Sequence, residues 1–262
     1  MSLFSELFDQ AGDVALVTGA GNGIGRAIAQ ALVGEGVRTV FADVDEARVL
    51  DAIAEAPRPE LAVPWVGDLA RRQHCARLLA DAQARAGLIT RFVHSASPPR
   101  RESDHAFAVS DETWRAMRAV NVDAGFYLAR EIAAALMRER RRGAFLILTS
   151  LHAETPRNLP HYSTAKAALS MLVKELAKGL GAHGIRVNAL VPGAIAAGGF
   201  VADPALARHI PLGSLGRATD LAPMALAVLS DKIAGYVTGA DIVVDGGLAL
   251  TNWFAPPIFP DP

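Results

Sequence analysis

Short apolar runs alternate with longer segments of helical periodicity almost to the end of the chain. Residues 14–17, 39–41, 61–63, 92–94, 145–148, 185–188 and 242–244 have the length and β-branched or aromatic content of buried strands. Between them, 24–35, 71–86, 114–140 and 162–180 repeat their apolar positions at helical spacing. Seven strands joined by helical crossovers predict an α/β fold: a doubly wound parallel sheet with helices on both faces. No composition shift, linker or internal repeat divides the pattern, so it predicts one domain over 1–262. The stretch 248–262 breaks the alternation with Trp253, Phe254, Ile258, Phe259 and four prolines. It reads as an arm packed on another subunit or as a disordered end.

Composition narrows the function classes. Apolar residues make up 51% of 262, enough for a large core, and the net charge of −1 gives no electrostatic case for nucleic acid or acidic membranes. The run Arg138-Glu139-Arg140-Arg141-Arg142 ends a helical segment before Gly143, where cations offset the helix dipole. A single cysteine, Cys75, excludes an internal disulfide, and without a Cys/His cluster no catalytic metal is expected. Residues 1–12 include Glu6 and Asp9 and lack a basic start or long apolar run, so a cytoplasmic protein without membrane spans is expected.

The first strand runs into Thr18-Gly19-Ala20-Gly21-Asn22-Gly23-Ile24-Gly25 and then a helix. Glycines there let backbone approach a pyrophosphate, and the helix N-terminus supplies amide donors and positive potential. Asp43 ends the second strand, 18 residues beyond Gly25, where a carboxylate accepts both ribose hydroxyls and repels a 2′-phosphate. With no basic residue at Asn22, both features favour NAD over NADP. The alternative for Asp43 is a turn acid that caps the next helix. Asp68, after the third strand, reads as a partner for the adenine amino group, as a helix cap, or as both.

Further along, Tyr162 and Lys166 lie four residues apart on one helical face. A fixed cation one turn from a phenol favours its ionised form and makes it a usable proton-transfer group near neutral pH. Thr149 and Ser150 place hydroxyls at the end of the fifth strand.

Taken together, Thr18-Gly19…Gly23-Ile24-Gly25, Asp68, Asn121, Ser150, Tyr162-x-x-x-Lys166 and Pro192-Gly193 resemble the short-chain dehydrogenase/reductase family. Tyr236-Val237-Thr238-Gly239 and Val243-Val244-Asp245-Gly246-Gly247 resemble its closing signature. The likeness implies a Rossmann-type domain that exchanges hydride between a dinucleotide and an alcohol or carbonyl. It implies Tyr162 as general acid/base and Ser150 as a hydrogen-bond partner of the substrate oxygen. Lys166 would bind the nicotinamide ribose, and Asn121 would hold a water linking Lys166 to solvent. It also places Ser95, Ala96, Pro192, Gly193 and Ile195 along the cofactor and implies a homotetramer paired through helices 114–140 and 162–180.

Three departures stand out. His94-Ser95-Ala96-Ser97 replaces the usual Asn-Asn-Ala-Gly, so adenine packing and sheet support must come from other contacts. Pro98-Pro99-Arg100-Arg101 follows directly and stiffens the chain leaving the cleft. Ser150 precedes Tyr162 by twelve residues rather than the commoner thirteen, the gap that Thr149 has; the strand end favours Ser150. Ala197 stands where a threonine is frequent, which weakens nicotinamide anchoring unless Gly198-Gly199 or a loop residue compensates.

Substrate choice should come from loop 151–161 and segment 198–211. The loop is rich in hydrogen-bonding groups, with His152 and Asn158 as candidate substrate contacts. The brief segment, with Phe200, Asp203, Arg208 and His209, suits a small hydroxylated substrate. These features point to an NAD-dependent dehydrogenase of a sugar, polyol or similar secondary alcohol. The alternatives are a 3-oxoacyl thioester reductase whose phosphopantetheine meets Arg100 and Arg101, and a non-catalytic NAD-binding scaffold.

Overall fold

The computed structural model describes residues 7–9, 12–197 and 204–250. Phe200, Asp203 and Gly198-Gly199 lie outside the described residues, as does the expected arm from residue 251 onward.

Among the described residues nine strands form: β1 (Val14–Thr18), β2 (Arg38–Asp43), β3 (Ala62–Val66), β4 (Arg91–His94), β5 (Gly143–Leu148), β6 (Ile185–Pro192), the two-residue β7 (Ile195–Ala196) and β8 (Gly216–Arg217), and β9 (Asp241–Val244). Seven of them make one sheet in the order β3-β2-β1-β4-β5-β6-β9, every pair parallel. The small β7–β8 pair stands apart. The order reverses between β1 and β4, where Thr18 is in register with His94. In open α/β sheets, such a switch point opens a crevice beyond the carboxyl ends of the strands.

Helices α1 (Gly23–Gly34), α2 (Glu46–Ala54), α3 (Arg72–Arg85), α4 (Asp111–Arg118), α5 (Ala124–Arg138), α6 (Pro160–Leu180), α7 (Ala218–Leu229) and the short α8 (Asp231–Ala234) connect the strands. Alternate strand residues face opposite sides. Leu16, Val40, Phe92, Phe145 and Val187 pack with Leu78 of α3, Leu128 of α5 and Leu169 of α6. Val17, Phe41, Val93 and Leu146 pack on the other side with Ile28 of α1, Val49 of α2 and Leu221 of α7. The doubly wound parallel sheet expected from the sequence is therefore present.

Two elements differ from the sequence pattern. The third strand covers Ala62–Val66 rather than 61–63, running through Pro64, because β3 is an edge strand and its proline leaves no central ladder bond unmade. The 114–140 helix is not continuous. Five residues, Ala119–Asp123, form a π turn between α4 and α5, and buried Asn121 sits at its centre.

Candidate active site

Several candidate residues lie at the carboxyl edge of the sheet. Thr18 ends β1, Asp43 ends β2, His94 ends β4 and Pro192 ends β6, while Ser150 follows β5 by two residues. Fold topology thus gathers groups far apart in sequence into one crevice.

The glycine loop has the shape that a phosphate cradle needs. Gly19 has φ +69°, and a Cβ there would meet the Ala96 backbone at 2.9 Å, so only glycine keeps the loop against the β4 turn. Asn22 is the N-cap of α1; its Oδ1 accepts from the Gly23 N–H at 2.7 Å. Gly23, Ile24 and Gly25 form the first turn, which contains no acidic side chain to compete for the positive end of the helix.

Beside this loop, Asp43 Oδ2 accepts from the Gly21 N–H at 3.0 Å and Oδ1 from the Val44 N–H at 2.7 Å. The carboxylate is fixed at the mouth of the crevice. Asp45 is the N-cap of α2, while Asp43 Oδ1 also accepts from the Asp45 N–H at 3.3 Å, so Asp43 is a turn acid just before that helix without being its cap. Arg48, whose Cβ would lie 3.0 Å from a Cβ on Gly21, pairs with Asp45 at 3.2 Å. Asp68 accepts from the Ala70 N–H at 2.9 Å in the turn before α3, whose N-cap is Arg71, so it is not the helix cap expected as one role for it; its carboxylate stays partly exposed.

The catalytic candidates converge from three elements. Tyr162 and Lys166, one turn apart on α6, are both buried, and the Lys166 ammonium lies 5.7 Å from the Tyr162 ring centre. Lys166 Nζ donates to the Leu148 carbonyl at 2.7 Å. Burial, with a smaller contribution from the Arg100 cation, pushes its pKa down to about 7.

Ser150 Oγ accepts from the His152 N–H at 3.2 Å, leaving its own hydroxyl hydrogen to donate. Thr149 is committed elsewhere: its hydroxyl donates to the Leu190 carbonyl at 3.3 Å. Among the described residues, the Thr149 hydroxyl hydrogen is engaged and that of Ser150 has no acceptor.

Asn121 Nδ2 donates to the Met117 carbonyl at 3.0 Å and to Ser97 Oγ at 3.2 Å. Its Oδ1 is buried without a hydrogen-bond partner among the described residues. Pro192 closes β6, the Gly193 N–H donates to the Val244 carbonyl at 3.0 Å, and Ile195 sits in β7.

The two substrate candidates part company. His152 is half-buried, its ring 6.3 Å from that of Tyr162, and its Nδ1–H donates to the Thr155 carbonyl at 3.0 Å. Burial holds its pKa below the ordinary histidine value. Asn158 is exposed with φ +58°, a left-handed turn position that asparagine tolerates. No hydrogen bond joins its side chain to Tyr162, Ser150 or His152 among the described residues.

Two contacts were not legible in the sequence. His94 replaces the support lost with the Asn-Asn-Ala-Gly pattern. Carbonyl oxygens only accept, so His94 Nε2–H donates to Asn121 at 2.9 Å and Val120 at 3.1 Å, while Nδ1 accepts from the Thr18 hydroxyl at 2.9 Å. Thr18 Oγ1 in turn accepts from the Ser95 and Ala96 N–H groups, each at 3.2 Å. The chain therefore ties β1, the β4 turn and the π turn together. The second contact is Arg100, whose guanidinium carbon lies 4.4 Å from the Tyr162 ring centre. A histidine in place of an amide hinted at the first; nothing in the spacing of residues 100 and 162 hinted at the second.

Residues 19–249 match the family model described as enoyl-(acyl carrier protein) reductase. The chain is 34% identical to galactitol 2-dehydrogenase (L-tagatose-forming) of Cereibacter sphaeroides, over 94% of this chain and 99% of that one. It is 32% identical to (3R)-3-hydroxyacyl-CoA dehydrogenase of Mus musculus, over 90% and 96%. Among solved structures it resembles a 3-ketoacyl-(acyl-carrier-protein) reductase from Brucella melitensis complexed with NADH. That likeness has a TM-score of 0.86 at 27% identity and covers 92% of this chain and 100% of that one. With its switch-point crevice, glycine loop and Tyr162–Lys166 pair in place, the chain belongs to the short-chain dehydrogenase/reductase family of oxidoreductases.

Proposed function

We propose that the protein oxidises a small hydroxylated secondary alcohol, of the sugar or polyol kind, with NAD. The observation that carries this reading is the buried Tyr162–Lys166 pair one turn apart on α6, with the Ser150 hydroxyl, an acceptor from His152, at the end of β5. Gly19, Asn22, Gly23, Ile24, Gly25, Asp43, Asp68, Ser95, Ala96, Pro192, Gly193 and Ile195 would hold the dinucleotide, whose oxidised nicotinamide supplies the hydride acceptor. Ser150 donates to the substrate oxygen and steadies charge developing there, while the hydroxyl proton passes to the Tyr162 oxygen. Lys166, partly protonated near neutral pH, would in its cationic form favour the ionised Tyr162, and the Asn121 region of the π turn would link it to solvent.

NAD rather than NADP follows from the Asp43 carboxylate, fixed by backbone donors and backed by an Arg48 already paired with Asp45. Exposed Trp114, Phe126 and Met171 on α4, α5 and α6 support self-association through those helices, as in a homotetramer. A second reading, reduction or oxidation at C3 of an acyl thioester, is favoured by the likeness to (3R)-3-hydroxyacyl-CoA dehydrogenase.

The test is NADH formation across polyols, sugars, hydroxy acids and hydroxyacyl thioesters, repeated with NADP. Turnover with NAD should fall about 100- to 10,000-fold in Tyr162→Phe while NADH still binds. Asp43→Ser should move the preference toward NADP. Turnover confined to NADP, or to thioesters, would overturn the reading. NADH binding without turnover of any alcohol would leave a scaffold.

A further inference from the structure

The loop that leaves β4 folds back over the start of α6. Glu102 pairs with Arg157 at 2.6 Å, and Asp104 accepts from the Arg101 N–H at 2.9 Å while lying 3.8 Å from His161. Both acids of the loop are thus engaged by a partner that offsets or satisfies them. Arg100 is not. It is exposed, stacks on the Tyr162 ring and has no carboxylate within ion-pair distance among the described residues.

The cations nearest Tyr162 are Arg100 over the ring and Lys166 beside it, while the carboxylates of Glu102 and Asp104 face His152 and His161, the other titratable neighbours. Burial holds both histidines toward their neutral forms. Binding of oxidised NAD would bring the further positive charge of the nicotinamide. An uncompensated guanidinium at a site mouth presents a planar fork of donors that matches an oxyanion, and its field concentrates anions there.

We propose that Arg100 is the substrate-anion receptor of this enzyme: the alcohol handled at Tyr162 carries a carboxylate close to the carbinol carbon. Within the sugar and polyol class proposed above, the substrate is then an acid that bears such a carboxylate, for example an aldonic acid. The inference deepens the alcohol-dehydrogenase reading and rests on it. In the reaction the carbinol C–H leaves as hydride to NAD, the O–H proton goes to Tyr162, and a keto acid and NADH form. Arg100 takes no part in bond making. It holds the carboxylate while Tyr162 and Ser150 hold the hydroxyl, so two anchor points fix which hydroxyl of a polyhydroxy chain reacts.

The experiment measures ligand binding to the enzyme–NADH complex by nicotinamide fluorescence, which requires no turnover. Gluconate is compared with glucitol, lactate with propane-1,2-diol, and 3-hydroxybutyrate with butan-2-ol. At least one acid should bind more tightly than its neutral counterpart. That advantage should shrink about 10- to 100-fold in Arg100→Met and return in part in Arg100→Lys, which keeps the charge but not the fork. NADH affinity should be unchanged in both variants. Acids that bind no better than their counterparts would overturn the proposal, as would a preference that survives Arg100→Met. Neither result would touch the dehydrogenase reading, which stands or falls on NAD-dependent turnover and its loss in Tyr162→Phe.

Discussion

The imidazole of His94 fills the space that Gly125 leaves open. A Cβ on Gly125 would lie 2.9 Å from His94 Cδ2 and 3.0 Å from Nε2. The ring cannot yield, because it is buried and hydrogen-bonded at both nitrogens. Gly125→Ala should therefore destabilise the protein by about 1–3 kcal/mol through overpacking. In a His94→Asn background the shorter side chain removes the clash, so the double variant should lose less than the sum of the two single changes. Urea denaturation of the four proteins measures the coupling. Strict additivity would mean that the two positions do not share this contact.

The same histidine gives a pH signature. Burial, then the Lys166 charge, pushes its pKa down to about 4 from an ordinary 6.5. As pH falls below 6.5 the unfolded chain takes up the proton first, so stability is full above that value and declines toward pH 4. The slope reaches at most about 1.4 kcal/mol per pH unit. His152 and His161, shifted the same way, add to it. His94→Asn should flatten the curve between pH 6.5 and 4 relative to wild type. An unchanged slope in chemical denaturation across that range would show that His94 does not titrate as its surroundings dictate.

Much of this architecture is legible in the chain because its signals are local. Apolar runs mark the strands, the 18-residue step from Gly25 to Asp43 crosses one helix, and Tyr162–Lys166 is a single helical turn. What escapes depends on long-range partners. His94 meets Thr18 across 76 residues and Asn121 across 27. The stack of Arg100 on Tyr162 exists only because the β4 loop folds over α6. The π turn at Ala119–Asp123 is hidden for another reason: helical periodicity survives on both sides of it, and one extra residue in a turn barely disturbs the apolar pattern.

Thr149 and Ser150 offer a direct comparison of two neighbouring hydroxyls. Thr149 donates to the Leu190 carbonyl, whereas Ser150 is an acceptor from His152 with its hydrogen to spare. Ser150→Ala should lower kcat by about 100- to 1,000-fold, the scale of losing one donor to a developing oxyanion. Thr149→Val should cost stability and leave kcat within a few-fold. Steady-state rates on any accepted alcohol decide the matter; the opposite ranking would assign the substrate hydroxyl to Thr149.

At the other end of the sheet, distant from the crevice, a buried charge cluster joins the starts of three strands. Arg91 Nη2 lies 3.0 Å from Asp13 and 3.4 Å from Asp231, and Arg186 lies 2.9 Å from Asp231. Arg186 also donates to the Val228 carbonyl at 2.9 Å, and Thr90 donates to Asp13 at 2.8 Å. Asp13, Arg91 and Arg186 are each buried, so every charge there depends on its partners. Asp13→Ala leaves Arg91 enclosed with the longer contact to Asp231 as its remaining carboxylate, and should cost about 3–5 kcal/mol of stability. The double variant Asp13→Ala/Arg91→Met removes both charges and should recover most of that loss. Because the cluster touches none of the site residues, kcat at a temperature where each variant is folded should match wild type. A fall in kcat beside normal stability would show that the two ends of the sheet communicate, against the separation seen in the fold.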